Sequence, residues 1–191
     1  MKLKIVPTLL LTAVTCLCIV CCRTIVDPPE SENPAFALNC SAFKNNDSIP
    51  VRFSCVNPKF FNPEMNWNAN HATAKSFVLI MNDPDAVQVV GYVWDHWLLY
   101  DIPSTVQSIP QGKDQYGPWP AGIIKGKNSA GDTAYAGPCP PPGQKHTYIF
   151  RLYCIDIPSL GIGKSATSAQ IRAAMKGHIT DSMDYKGTFI H

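Results

Sequence analysis

Two carboxylates stand one proline apart at Asp83-Pro84-Asp85. Proline biases the residue before it towards an extended backbone, and in an extended segment residues i and i+2 point to one side. Both carboxylates are therefore expected to face one cavity, although Asp-Pro-Asp is also turn chemistry. His146 and Tyr148 repeat the i, i+2 spacing in a stretch rich in β-formers, which puts an imidazole and a phenol on one face. His96 lies in an aromatic frame of Trp94, Trp97 and Tyr100. Ahead of His146 runs Gly137-Pro138-Cys139-Pro140-Pro141-Pro142-Gly143. Its prolines fix the path of the chain, and the N–H groups of Gly137 and Cys139 are left to donate to an anion.

The chemistry this set offers is recognition. A carboxylate beside a histidine orients the ring and favours its charged form, so His96 or His146 can donate to an anion's oxygens. The second carboxylate can accept from an ammonium group. Each such charge-assisted bond contributes about 1.5–3 kcal/mol. The plainer reading of a lone histidine in an aromatic strand is a packed residue, and it stands beside the chemical one.

The elements that must position these groups are mostly strands. Val51–Cys55 alternates with period two and reads as a half-buried strand. Ser76–Met81 is a continuous apolar run that suits a strand buried on both faces. Tyr92–Ile102 is a longer apolar stretch, broken by Asp95-His96 and stopped by Pro103; Thr147–Ile157 is another, stopped by Pro158. Gln111–Gly143 is a long Gly-, Pro- and Asn-containing connection, of a length usually tied to function or disorder. One helix is expected: Thr167 and Gln170 have capping-box spacing, Ile171, Ala174 and Met175 share a face, and Gly177 can end it. The fold class that follows is mostly β with peripheral helices, and the 17 prolines agree with it.

Order and spacing of four segments carry a resemblance. They are Ser76-Phe77-Val78-Leu79-Ile80-Met81-Asn82-Asp83-Pro84-Asp85-Ala86, Trp94-Asp95-His96-Trp97 through Pro103, Tyr135-Ala136-Gly137-Pro138-Cys139-Pro140 with His146-Thr147-Tyr148, and Gly177-His178-Ile179 with Gly187-Thr188-Phe189. Together they resemble the phosphatidylethanolamine-binding protein family, in its bacterial Raf-kinase-inhibitor-like branch. The resemblance implies a large antiparallel sheet packed on a smaller one, with one anion pocket. It assigns Asp83, Asp85, Trp94, His96, Gly137, Cys139, Pro140, His146 and Tyr148 to ligand binding. Val87 stands where the family usually has proline. The implied ligand is a small anion or phospholipid headgroup of the phosphate or phosphoethanolamine type. The alternative is a protein-interaction module that inhibits a kinase- or peptidase-type partner.

Other functions find little support. There is no Gly-x-Ser-x-Gly elbow, and Gly126-Lys127-Asn128-Ser129-Ala130-Gly131 lacks the Gly-Lys-Ser/Thr ending of a phosphate loop. Neither an enzyme, a metal site nor a cofactor is expected. A net charge of +2, with lysines and arginines scattered singly, argues against nucleic acid. A homodimer is left open.

Lys2 and Lys4 precede an apolar run from Ile5 to Val20, followed by Cys21-Cys22 and a polar, Pro-containing stretch. This reads as an export leader (1–22), a linker (23–35) and one domain (36–191). Cleavage, lipidation at Cys21 or Cys22, and retention as a membrane anchor all remain open. The expected location is the periplasm or cell envelope, or the exterior if the source is eukaryotic. In an oxidising compartment, Cys40, Cys55, Cys139 and Cys154 are disulfide candidates. The sequence-local pairing Cys40–Cys55 and Cys139–Cys154 is the expected one.

Overall fold

Strand β4 (Ser76–Asp83) shows why the domain is built in layers. Its odd residues Phe77, Leu79 and Met81 enter one buried cluster, and its even residues Val78 and Ile80 enter a second. Alternation along a strand sends successive side chains to opposite faces, so both faces of this sheet are covered. The structure is a computed structural model that describes residues 36–68 and 73–191. The expected leader, its lipidation candidates Cys21 and Cys22, and the linker lie outside the described residues.

The remaining strands are β1 (Leu38–Asn39), β2 (Asp47–Ser48), β3 (Met65–Trp67), β5 (Trp94–Pro103), β6 (Ser108–Ile109), β7 (Ile124–Lys125), β8 (Lys145–Ile155) and β9 (Ile179–Ile190). The helices are α1 (Val87–Val90), α2 (Lys113–Tyr116) and α3 (Ser168–Met175). A six-stranded sheet runs β2-β9-β8-β4-β5-β7, and a three-stranded sheet runs β1-β3-β6. The long pairs β4–β5, β4–β8 and β8–β9 are all antiparallel. The cluster with Phe36, Leu38, Trp67, Phe77, Trp97 and Phe150 joins residues of the two sheets. The second cluster puts Ile171 and Met175 of α3 against Val78, Leu98 and Tyr153.

Helix α3 forms as its residues direct. The Thr167 side chain accepts from Gln170 N–H, the Gln170 side chain accepts from Thr167 N–H, and Gly177 adopts φ 84° beyond the end. Two expected strands change. Val51–Phe53 forms a 3-10 turn rather than a strand. Pro50 fixes the entry, and the Ser54 N–H and hydroxyl both return to the Val51 carbonyl, each at 2.9 Å, closing the turn. Asp95-His96 does not interrupt the following strand: β5 runs through both, with a register shift opposite Met81 and Asn82. The long connection from Gln111 contains α2 and β7, and its last residues form a wall described below.

The expected cysteine pairing is corrected. The disulfide joins Cys55 to Cys139, while Cys40 and Cys154 are free. Cys154 lies within β8, opposite Phe77, and is fully buried in the inter-sheet cluster. It cannot meet Cys139, which belongs to a loop packed on the 51–57 turn. Cys55 N–H donates to the Pro138 carbonyl at 3.1 Å, and Tyr135 Oη donates to the Phe53 carbonyl at 3.0 Å. Gly137 makes this approach feasible, because a Cβ there would sit 2.6 Å from the Phe53 carbonyl oxygen.

Candidate functional site

Strand β4 delivers Asp83 to its end, where the sheet opens into a cavity of about 360 Å³. Asp83 is nearly buried, and its two oxygens are both engaged. One accepts from His146 Nδ1 at 2.7 Å and the other from Ala86 N–H at 3.1 Å. His146 is the second residue of β8, and direct pairing of β8 with β4 brings residues 63 apart into contact. Its other nitrogen, Nε2, faces the Gln144 side-chain amide at 3.3 Å. The carboxylate therefore fixes the ring and the position of the Nδ1 proton.

His96 enters from β5. Its Nδ1–H donates to the Ala136 carbonyl at 3.0 Å, so the neutral ring carries its lone pair on Nε2. Burial pushes its pKa down to about 4, against the opposing pulls of the Ala136 carbonyl and the Asp83 charge. The expectation that a neighbouring carboxylate makes His96 a charged donor is thus corrected. Desolvation outweighs the carboxylate, and at neutral pH His96 is an acceptor at Nε2.

The Tyr148 ring meets His96 edge-on, with centroids 5.2 Å apart. Its hydroxyl is buried and makes no hydrogen bond of ordinary geometry, although it lies beside the Asp83 carboxylate and the Cys139 N–H. Burial, and then the Asp83 charge, push its pKa up. Poorly placed for both neighbours, this hydroxyl keeps donor capacity for a ligand.

Asp83, His96 and His146 form the polar floor of the cavity. The Ala136-Gly137 segment with Cys139, Pro140 and Pro141 forms one wall. Cys55 and Phe60 form a second, and Ala86, Val89, Val90 and Trp94 a third. Of the residues singled out in the sequence, Asp83, Trp94, His96, Gly137, Cys139, Pro140 and His146 line one cavity, and Tyr148 sits behind its floor.

Asp85 does not join them. Its carboxylate accepts from Thr147 N–H at 2.7 Å, tying the turn to β8, and it does not line the cavity. The turn through Pro84 and Ala86 into α1, rather than an extended strand, separates the two carboxylates. Phe60, Val89 and Val90 escaped the sequence reading, and Pro141 was read only as part of the rigid loop. Phe60 carried no signal at all, whereas the uncharged run Val87-Gln88-Val89-Val90 after an acidic turn was an unexplained apolar segment. Among the described residues, no group of three or more His, Cys, Asp or Glu is placed to hold a metal ion. Cys139 has its sulfur in the disulfide and offers no thiol nucleophile.

Comparison with known proteins finds the same arrangement of sequence elsewhere. The model of a family described as phosphatidylethanolamine-binding protein matches residues 39–190. A UPF0098 protein of Methanothermobacter thermautotrophicus is 35% identical over 142 residues, covering 74% of this chain and 90% of the relative. UPF0098 protein YbhB of Escherichia coli is 33% identical over 113 residues, covering 57% of this chain and 68% of YbhB. Among solved structures, the homolog CT736 from Chlamydia trachomatis superposes with a TM-score of 0.73 at 31% identity, over 83% of this chain and 99% of that one. Escherichia coli YbcL gives a TM-score of 0.75 at 21% identity, over 82% and 99% of the two chains, which is a likeness of fold.

Proposed function

The chain belongs to the phosphatidylethanolamine-binding protein family, in the branch of the YbhB-like bacterial proteins, and on that premise we propose that its cavity binds a phosphate-bearing headgroup of the phosphoethanolamine type. The observation that carries the reading is the buried Asp83–His146 pair beside a neutral His96, at the floor of an otherwise apolar cavity. Phosphate oxygens accept from the Tyr148 hydroxyl and from the N–H groups of the Gly137–Cys139 wall. The ligand's ammonium donates to His96 Nε2, which takes the acceptor role expected of a carboxylate. The faces of Trp94 and Phe60 add apolar walls and a cation–π surface. The family's members are in general binding proteins, and binding rather than turnover is the role proposed for this chain.

We further infer export from the cytoplasm. The Cys55–Cys139 disulfide supports it, because such bonds persist in oxidising compartments. Recovery of unprocessed, reduced chain from the native cytosol would refute it.

Calorimetry tests the ligand. Glycerophosphoethanolamine carries both a phosphate and an ammonium, whereas sulfate has no group to donate to His96. His96→Ala is expected to weaken glycerophosphoethanolamine about tenfold, which is roughly 1.4 kcal/mol, and sulfate much less. His146→Ala is expected to weaken both, because the Asp83 carboxylate then loses the hydrogen-bond partner that holds it in the floor. Unchanged affinities in both variants would show that the two histidines only support the fold.

A further inference from the structure

The segment from Pro138 to Pro142 walls the cavity with few backbone donors to hold it in place. All of its residues except Cys139 are prolines, so Cys139 supplies its only N–H. That N–H lies beside the Tyr148 hydroxyl at the floor. The segment is therefore held through its carbonyls. Pro138 accepts from Cys55 N–H at 3.1 Å, Pro141 from Gln144 N–H at 3.0 Å and Pro140 from the His191 ring at 3.0 Å. The Gln144 bond is local and His191 is exposed, which leaves the Cys55–Cys139 disulfide as the strongest tie across the wall.

This disulfide is not placed to serve the core. Both cysteines line the cavity; Cys139 is exposed and Cys55 half-buried. Exposed disulfides are the ones that dithiols reach and reduce, whereas buried structural bonds resist. On its other side the bond holds the 51–57 turn, which leads to Phe60, a further wall residue. One covalent bond thus ties two walls together. The two free cysteines do not compete for it. Burial pushes the Cys40 thiol up, and the Cys154 thiol up to about 12, so neither offers a thiolate at neutral pH to exchange with the bond.

We propose that the Cys55–Cys139 bond is a redox-modification site that sets the cavity's affinity: oxidised, it closes the wall around a ligand, and reduction by a dithiol opens the wall and releases it. A thiolate of the dithiol attacks the exposed Cys139 sulfur. The protein disulfide breaks, and Cys55 leaves as a thiolate and takes up a proton. The dithiol's second thiolate then attacks the first in the mixed disulfide, and Cys139 leaves in turn. The protein gains two electrons and two protons, and the dithiol ends as an intramolecular disulfide. The freed segment carries the Cys139 N–H away from the floor. A newly made, reduced chain binds its ligand weakly and gains affinity on reaching an oxidising compartment. The identity of the ligand rests on the headgroup reading above; the opening of the wall does not.

Dithiothreitol is the probe, applied to the full chain. Hydrogen exchange read by mass spectrometry is expected to rise on reduction in peptides covering residues 51–57 and 135–144, and to stay unchanged in β4 and β8. Glycerophosphoethanolamine affinity, by calorimetry, is expected to fall about tenfold and to return on reoxidation. Cys40→Ser is expected to respond as the wild type does. Cys55→Ser with Cys139→Ser is expected to match the reduced wild type and to ignore dithiothreitol. If the oxidised protein binds no glycerophosphoethanolamine, the headgroup reading fails and the exchange difference still decides the wall. The proposal is overturned by a bond that resists dithiothreitol in the folded protein, by exchange that does not change, or by a measurable affinity that does not change. Loss of the β-sheet circular dichroism on reduction also overturns it, because the bond would then be a staple of the whole fold.

Discussion

The β4–β5 pair carries a buried aspartate at each end. Asp101, beside Pro103, accepts from the Ser159 hydroxyl at 2.6 Å and the Leu160 N–H at 2.7 Å. Tyr100, its neighbour, donates to the Gly163 carbonyl at 2.5 Å, and the Ser76 hydroxyl to the Ile157 carbonyl at 2.6 Å. This end is closed by uncharged donors and backbone. At the other end Asp83 is bonded to an imidazole, beside a buried histidine held neutral and a buried phenol with no hydrogen bond of ordinary geometry. Equal burial of a carboxylate thus serves two purposes. Where every polar group is satisfied locally, it ties loops together; where neighbours are left unsatisfied around a cavity, it prepares a site for a ligand.

The comparison would be broken most severely at the disulfide, since only the open end has a covalent staple in its wall. Replacing Cys55 and Cys139 together by serine frees a loop closed across a separation of 84 residues. A loss of about 4 kcal/mol is expected from the constraint on the unfolded chain. Denaturant unfolding of the unreduced variant measures it, and a loss below about 1 kcal/mol would mean that the sheets alone hold the wall.

Acid probes the same end next. His96 has a folded-state pKa depressed from 6.5 to about 4, so between those values the unfolded chain binds a proton that the folded one refuses. Stability therefore falls as pH drops through that window, by about 3 kcal/mol in all. His96→Gln should flatten this part of the profile. An equally steep fall in the variant would assign the acid sensitivity to other groups.

At the closed end the expected effect is smaller and purely structural. Asp101 has φ 53°, a conformation that asparagine tolerates. Asp101→Asn keeps the backbone but exchanges one acceptor for a donor, which should cost about 1–2 kcal/mol. Affinity for glycerophosphoethanolamine should not change, and a change would show that the two ends are coupled through the strands.

The smallest effect is expected at Tyr148. Removing a hydroxyl that makes no hydrogen bond of ordinary geometry should leave stability nearly level, whereas removing other buried hydroxyls costs about 1 kcal/mol. Ligand affinity should fall by roughly fivefold to tenfold, about 1–1.4 kcal/mol. If Tyr148→Phe instead destabilises the free protein and leaves binding untouched, the phenol is structural and the floor is smaller than described.

Local rules account for what could be read before folding. The apolar run ending in Asp83 had to be a strand covered on both faces, and the Thr167–Gln170 spacing had to start α3, because each depends on neighbours within a few residues. The residue types of the floor were legible for the same reason: an acid after a buried strand and a His-x-Tyr on one strand face. Only the tertiary structure decided which of two aspartates meets His146, since that depends on the turn into α1 rather than on the spacing. It decided that Cys139 bonds Cys55, because two loops 84 residues apart must first be packed together. It decided that His96 is neutral, because desolvation is a property of everything that surrounds the ring and of no residue beside it in the chain.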